Sequence, residues 1–216
     1  MSARRIHFPV VIMAAFAFIS CSKIPLPTDS GDGGFSVHRV VHSQTPLVSD
    51  SEYAWVRTQF QKNNLSLEDL QVLSVMQSGS IRYVRCSQFH RGLQIFYRDI
   101  VFSFNASGIN DYIGGDTAIH ITASPSPGVP MELAGAIFRE QIGRDFWYKD
   151  SLGAFLKAGF DAELGFFDAN GSAADAPENF VLAWKLTVTG RMPYPFAYVR
   201  ADRIGLLQYW NGVIID

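Results

Sequence analysis

The sequence predicts an α+β protein that lays down a helix and then a run of strands, twice over. Three observations carry this. An amphipathic helical pattern is followed by short apolar runs parted by turn residues, a proline-rich joint interrupts the chain, and beyond the joint the same order starts again. At 216 residues, 48% hydrophobic and 18% charged, the chain has enough apolar side chain for one large core or two small ones, and too much to stay disordered.

The first residues, MSARRIHFPVVIMAAFAFISCS, set Arg4 and Arg5 before an apolar run from Phe8 to Ile19, with the small Ser20 directly ahead of Cys21. This is the pattern of a secretory signal. A run of about a dozen apolar residues is shorter than the roughly 20 that a permanent membrane-spanning helix needs. Its end, FISC, resembles a bacterial lipobox, with Phe18 where leucine is usual. Residues 1–20 are therefore read as a lipoprotein signal peptide and Cys21 as the lipidated first residue of the mature chain. The cysteine count agrees, because only Cys86 remains beside Cys21 and no even set is left for disulfides. The stretch SKIPLPTDSGDGG is rich in Pro, Gly, Ser and Asp without an apolar period, which makes 21–34 a flexible tether.

Folding is expected from Phe35. FSVHRVVHS reads as extended, and in SDSEYAWVRTQFQKNN a capping-box pair, Ser49 and Glu52, precedes Tyr53, Val56 and Phe60 on one helical face. Asn63 and Asn64 stop that helix. Then LQVLSVMQ, SIRYVRCSQF, LQIFYRDIVFSF and GINDYI, parted by Ser78-Gly79, Gly92 and Ala106-Ser107-Gly108, read as an antiparallel meander. In the third run Leu93, Ile95 and Tyr97 share one parity while Phe102 and Phe104 take the other, which places a bulge or bend near Arg98-Asp99. The first unit is thus 35–122, and TASPSPGVP supplies a linker over 123–129. The second unit, 130–216, opens with Pro130 at a helix start and a stripe of Leu133, Ala134, Ile137, Phe138 and Ile142 closed by Gly143. A short helical piece, DSLGAFLKAG, leads to strands at FDAELGFFD, NFVLAWKLTVT, PFAYVR and LLQYWNGVI. In the second of these, Leu182, Trp184, Leu186 and Val188 alternate with Ala183, Lys185, Thr187 and Thr189, the mark of a sheet with one wet face.

Arg85, Gln88, Gly92, Leu93, Ile95 and Phe96 resemble the pattern R-x-x-Q-x-aromatic-x-G-[IL]-P-V-[FY] of the pro-segment domain (FTP) that precedes thermolysin-like and fungalysin-like metalloproteases. The second unit is similar to the domain that usually follows there, often called PepSY, with LGFFD, VLAWKLTVTG and AYVRADRIGLLQYWNG in its strand positions. Against the pattern, His90 takes the aromatic position, Gln94 the proline and Tyr97 a common glycine, and VRADRIG matches the closing Val-Asp-Ala-x-Thr-Gly only loosely. The likeness runs from about Phe35 to Ile214. It implies two tandem cystatin-like units, each a helix packed on a curved antiparallel sheet, with no chemistry of their own.

The residues themselves show no catalytic spacing. HRVVH sets His38 and His42 at the interval of a metalloprotease zinc site, but Arg39 stands where the water-activating glutamate belongs, and the pair reads as solvated histidines. Asp99, Asp111 and Asp116 read as turn residues, and Asp161, Glu163 and Asp168 as the solvated flanks of a strand. Ser151 lacks the preceding glycine of a nucleophile elbow and reads as a helix cap. Cys86 reads as a small buried apolar side chain. Arg85, Gln88, Gly92 and Phe96 are read first as structural, through hydrogen bonds across the meander and a turn at Gly92, ahead of any contact with a partner. Tyr194, Phe196, Tyr209 and Trp210 are candidates for a partner-binding patch. The formal charge is −2, loss of Arg4 and Arg5 makes the mature chain more acidic, and no Lys/Arg run exists, which argues against nucleic acid as a partner. The sequence asks for no metal and no cofactor.

The resulting expectation is a non-catalytic lipoprotein of the bacterial cell envelope, held to a membrane by its N-terminal lipid and binding a protein partner. Ser22 is not the aspartate that commonly retains lipoproteins at the inner membrane, which favours the outer one. The resemblance implies a secreted metalloprotease as that partner, inhibited or assisted in folding. The alternative is a membrane-anchored regulatory module acting on a sensor kinase or a cell-wall complex, as proteins of similar two-unit build do.

Overall fold

The structure, a computed structural model, describes residues 35–114, 120–170, 177–190 and 194–213. The leader, Cys21, the tether and Asp116 lie outside the described residues.

A short strand, β1 (Val37–Val40), precedes α1 (Asp50–Lys62). The helix starts at its capping box: the Glu52 N–H donates to Ser49 Oγ at 3.4 Å and the Ser49 N–H to Glu52 Oε2 at 3.0 Å. Two donors that a first turn leaves open are thereby satisfied. The meander follows as β2 (Leu70–Ser78), β3 (Ile81–His90), β4 (Leu93–Asn105) and β5 (Gly108–Ile113). Past the joint come α2 (Met131–Arg144), a 3-10 turn over Lys149–Ser151 and α3 (Leu152–Ala158). The second run of strands is β6 (Phe160–Asp168), β7 (Phe180–Val188), β8 (Phe196–Arg200) and β9 (Leu206–Trp210). The fold is α+β, with helices packed on a sheet, and each strand expected from an apolar run is present.

How the two runs join was not visible in those patterns. Among the described residues all the strands form one sheet in the order β2-β3-β4-β6-β7-β8-β9, with β5 added to β4 and β1 to β6. The seam is parallel, with Gln94 and Ile95 of β4 opposite Gly165 and Phe166 of β6. The N-terminal half of β6 pairs, also in parallel, with β1, from Val37 opposite Phe160 to Val40 opposite Glu163. Gly165 lets the seam close, since a Cβ there would stand 2.6 Å from the Gln94 carbonyl oxygen and 2.6 Å from Phe96 Cζ.

The helices cover one face of this sheet. α1 buries Val56 and Phe60 against Val84, Cys86, Ile100 and Phe102, with the Phe60 and Phe102 rings edge-on at 4.8 Å. α2 buries Ala134, Ile137, Phe138 and Ile142 against Phe160, Leu164, Leu182 and Trp184. Each large apolar side chain so buried contributes about 1.5–3 kcal/mol. The proline-rich joint is docked onto the second core: the Gly128 and Val129 N–H groups donate to the Ala201 carbonyl at 2.7 and 2.9 Å, and Trp184 Nε1 donates to the Val129 carbonyl at 2.8 Å.

β4 serves both cores and changes parity on the way. Leu93 and Ile95 point into the core under α2, whereas Ile100, Phe102 and Phe104 point into the one under α1. An irregularity in the β3–β4 ladder between Ser87 and Phe89 absorbs the switch, and opposite it Tyr97 sits in the left-handed region at φ 61°. The parity of the sequence placed this break at Arg98-Asp99, one residue further on.

Candidate functional site

On the sheet face turned away from the helices lies a third cluster, in which Phe96, Ala183 and Tyr198 are buried and Phe167, Phe196 and Leu207 pack against them. Beside it, on β3 and β4, runs a string of polar side chains. Gln94 Nε2 donates to Ser87 Oγ at 2.9 Å, Ser87 Oγ donates to Asp99 Oδ1 at 3.0 Å, and Arg85 Nε donates to Asp99 Oδ2 at 2.8 Å, with Nη2 on the same oxygen.

The middle of this face holds charges. Lys185 Nζ donates to Glu163 Oε2 at 3.0 Å, and His42 Nε2 lies 3.0 Å from that same oxygen. Burial acts to raise the Glu163 carboxyl, but the hydrogen bond from His42 and the Lys185 ammonium outweigh it and hold the group below its ordinary value. It is a carboxylate at neutral pH, with its charge spent on two internal partners.

Next to the charges the rings close up. Phe96 meets Tyr198 at 5.1 Å, Phe167 stacks on Tyr198 at 4.5 Å, and Tyr97 stands edge-on to Tyr198 at 5.5 Å. Burial and then the neighbouring Tyr97 hydroxyl push the Tyr198 phenol up, and burial raises Tyr97 as well. Both remain neutral, so this part of the face offers aromatic surface and hydroxyls rather than charge.

Phe96, Lys185, Phe196 and Tyr198 line a groove of about 570 Å³ that runs from β4 across β7 and β8 to β9, within the ~300–1,000 Å³ usual for binding clefts. Tyr97 rims one side and Tyr194 and Trp210 the other, 67%, 44% and 45% exposed. A second hollow of about 380 Å³ adjoins it across Gln94 and Asp99, walled by His42, Leu47, Gln71 and Leu73. Tyr97 is notable for its backbone, because a left-handed conformation costs a non-glycine residue about 1–3 kcal/mol and persists where the surroundings hold it.

The residues singled out in the sequence fall in several places. Arg85, Phe96, Asp99, Tyr194, Phe196 and Trp210 come to this face. Gln88 is 2% exposed and pairs in the ladder with Leu70 of the first core. Gly92 follows Arg91 in the two-residue turn between β3 and β4, both at positive φ, 78° and 51°, the combination that matches the twist of a hairpin. Cys86 is buried in the core under α1, its thiol pushed up to about 12 by burial and by the nearby Asp99.

Other sequence-based expectations need correcting. Tyr209 does not join the patch; its ring packs against Phe138 and its hydroxyl donates to Asp145 Oδ2 at 2.9 Å, on the helix side. Asp99 and Asp111 lie within β4 and β5 rather than at turns. Glu163 is no solvated flank, because β6 gains neighbours on both sides and the side chain is 14% exposed. Asp161, on the same strand, accepts from Thr189 Oγ1 at 2.8 Å. His38 bonds to Ser36 Oγ at 3.0 Å while His42 turns to Glu163, so the two share no common ligand site. Among the described residues no three of His, Cys, Asp and Glu converge as a metal-holding group. Ser151 precedes α3 but makes no side-chain capping bond. The sequence signals the Lys185–Glu163–His42 set and the Tyr97–Tyr198 pair only faintly, through the alternation of β7 that puts Lys185 on the wet face.

No family model matches the chain, and no curated protein matches it either. Among solved structures it is similar to the Bacillus megaterium YpeB C-terminal domain, at 11% sequence identity and a TM-score of 0.34, over 79% of this chain and 67% of that one.

Proposed function

We propose that the chain is a binding module that takes a segment of a protein partner into the groove on the strand face. The rim carries this reading. Tyr97, Tyr194 and Trp210 stand exposed around a floor of packed rings, and large aromatic side chains of restricted mobility are the anchors that dominate protein interfaces. Tyr97 keeps a bulky ring at a backbone position that suits glycine, which is how a fold behaves when the ring itself is wanted there. Gln94, Lys185 and Gln208 along the groove supply the few polar groups that orient a bound chain.

The resemblance to metalloprotease pro-segments supports a secreted metalloprotease as the partner, restrained or assisted in folding by surface burial alone. A lipid at Cys21 would concentrate both proteins at one membrane and raise the occupancy of a weak complex. The test is capture from gently crosslinked envelopes followed by an inhibition and refolding assay on whatever protease is recovered. A zinc metalloprotease restrained by the wild-type protein and released by Trp210→Ala supports the reading. Recovery of a sensor kinase or cell-wall complex, with no effect on protease activity or refolding, removes the metalloprotease and leaves the regulatory module.

A further inference from the structure

Away from the groove, two large rings stand side by side at the turn that follows α2. Phe146 and Trp147 are 72% and 55% exposed and meet edge-on at 5.5 Å. The turn beneath them is firmly tied. Asp145 Oδ1 accepts from the Trp147 N–H at 2.8 Å, Asp145 Oδ2 accepts from the Tyr209 hydroxyl at 2.9 Å, and the Tyr148 hydroxyl donates to the Asn211 carbonyl at 2.8 Å. The residues on either side of the pair are thus fastened to β9 and the segment after it, while the two most apolar side chains of the turn are turned outward.

The start of the described chain lies on the same helix. Phe35 packs on Phe160 at 5.2 Å, sits so close to Gly135 that a Cβ there would be 3.0 Å from its ring, and lies 5.1 Å beneath the Arg139 guanidinium. From Arg139 to the end of α2 at Arg144 is about 7.5 Å of helical rise, and Phe146 follows two residues beyond. Residues 21–34 cannot separate Cys21 from Phe35 by more than about 50 Å even fully extended. A bilayer holding Cys21 is therefore within reach of the turn.

We infer that Phe146 and Trp147 dip into the interface of the lipid bilayer to which the chain is tethered at Cys21, fixing how the folded body sits on the membrane. The inference rests on the lipid-anchor part of the proposed reading. Tryptophan and phenylalanine favour the boundary between headgroups and acyl chains, so a second apolar contact beside the lipid at Cys21 fixes the orientation of the body. The tether makes the contact intramolecular, which populates even a weak dip. Arg144 and Lys149 are balanced by Asp145 and Asp150 in the same turn, so the attraction is apolar and needs neither anionic lipid nor low salt.

The test couples the mature chain, beginning at Cys21, through that cysteine to maleimide-bearing phospholipid in phosphatidylcholine vesicles with brominated acyl chains. Cys86 is buried with its thiol pushed up to about 12, so Cys21 alone reacts. The readout is the fraction of tryptophan emission that brominated lipid quenches, in the wild type and in Trp147→Phe, which keeps a ring at the site and is checked for folding by circular dichroism. The wild type is expected to lose the larger fraction, unchanged by high salt or by added phosphatidylserine. Equal quenching in the two proteins overturns the inference while leaving the anchor intact. Absence of fatty-acyl labelling at Cys21 in cells overturns the anchor, and with it the bilayer the turn would meet.

Discussion

Tyr97 is where stability and binding pull in opposite directions. Its left-handed backbone costs about 1–3 kcal/mol that glycine would not incur, while its ring contacts Tyr198 and rims the groove. Tyr97→Gly should therefore unfold in urea within about 1 kcal/mol of the wild type, the relief of strain offsetting the lost contacts, yet bind its partner at least tenfold more weakly. A variant that is much less stable but binds normally would make Tyr97 a structural residue. Glu163 gives a pH signature of definite sign. Its carboxyl titrates below the ordinary 4.5 in the folded state, so the stability it contributes is complete above 4.5 and drains away as pH falls through the lower folded value. Glu163→Gln should lower the denaturation midpoint at neutral pH, and the wild-type and variant midpoints should converge as the solution is acidified below 4.5. A gap that stays constant into acid would mean that His42 and Lys185 do not hold the charge.

The helices and strands are fixed mainly by local signals. The Ser49–Glu52 box, for example, closes both of its hydrogen bonds, and Ser49→Ala should cost about 1 kcal/mol, seen as a fall of about 2–4 °C in Tm. Such signals were legible: the Ser49–Glu52 cap, the alternation of β7, the turn at Gly92 and the parity switch in β4 all depend on residues near one another in the chain, though Ser151 shows that a cap residue can be present without its bond. The seam was not. Pairing Gln94 with Gly165 joins distant parts of the sequence, and the side chains of β6 alternate in the same way whether the strand lies at an edge or in the centre. That is why Glu163 looked solvated. The aromatic site was half legible for a related reason. Tyr194, Phe196 and Trp210 were visible as rings, but on β9 a step of one residue changes face, and only the fold shows that Trp210 lines the groove while Tyr209 goes under to Asp145.

One sheet running through both helix–strand units gives the molecule two unlike sides. The entry at Phe35 and the Phe146–Trp147 turn belong to the helix side, whereas the groove opens on the other. A body held to a bilayer by the first would turn the second toward whatever is to be bound. Such an orientation transmits only if the two cores behave as one body, and the seam between β4 and β6, the docked joint at Val129 and the pairing of β1 with β6 all argue that they do. Cys86 reports on this, since it lies fully buried in the core under α1, its thiol pushed up to about 12, and is expected to react chiefly when that core opens. Leu186 is fully buried in the other core, under α2, and Leu186→Ala should cost about 2–5 kcal/mol there. With Cys21 blocked beforehand, the rate at which a thiol reagent labels Cys86 in native buffer is compared between the wild type and Leu186→Ala. If the sheet opens cooperatively, damage in the second core reaches the first and labelling accelerates at least tenfold, since each ~1.4 kcal/mol is a factor of ten in the open population. If the units open independently, the rate is unchanged, and the continuous sheet would then be a contact between two separately stable halves.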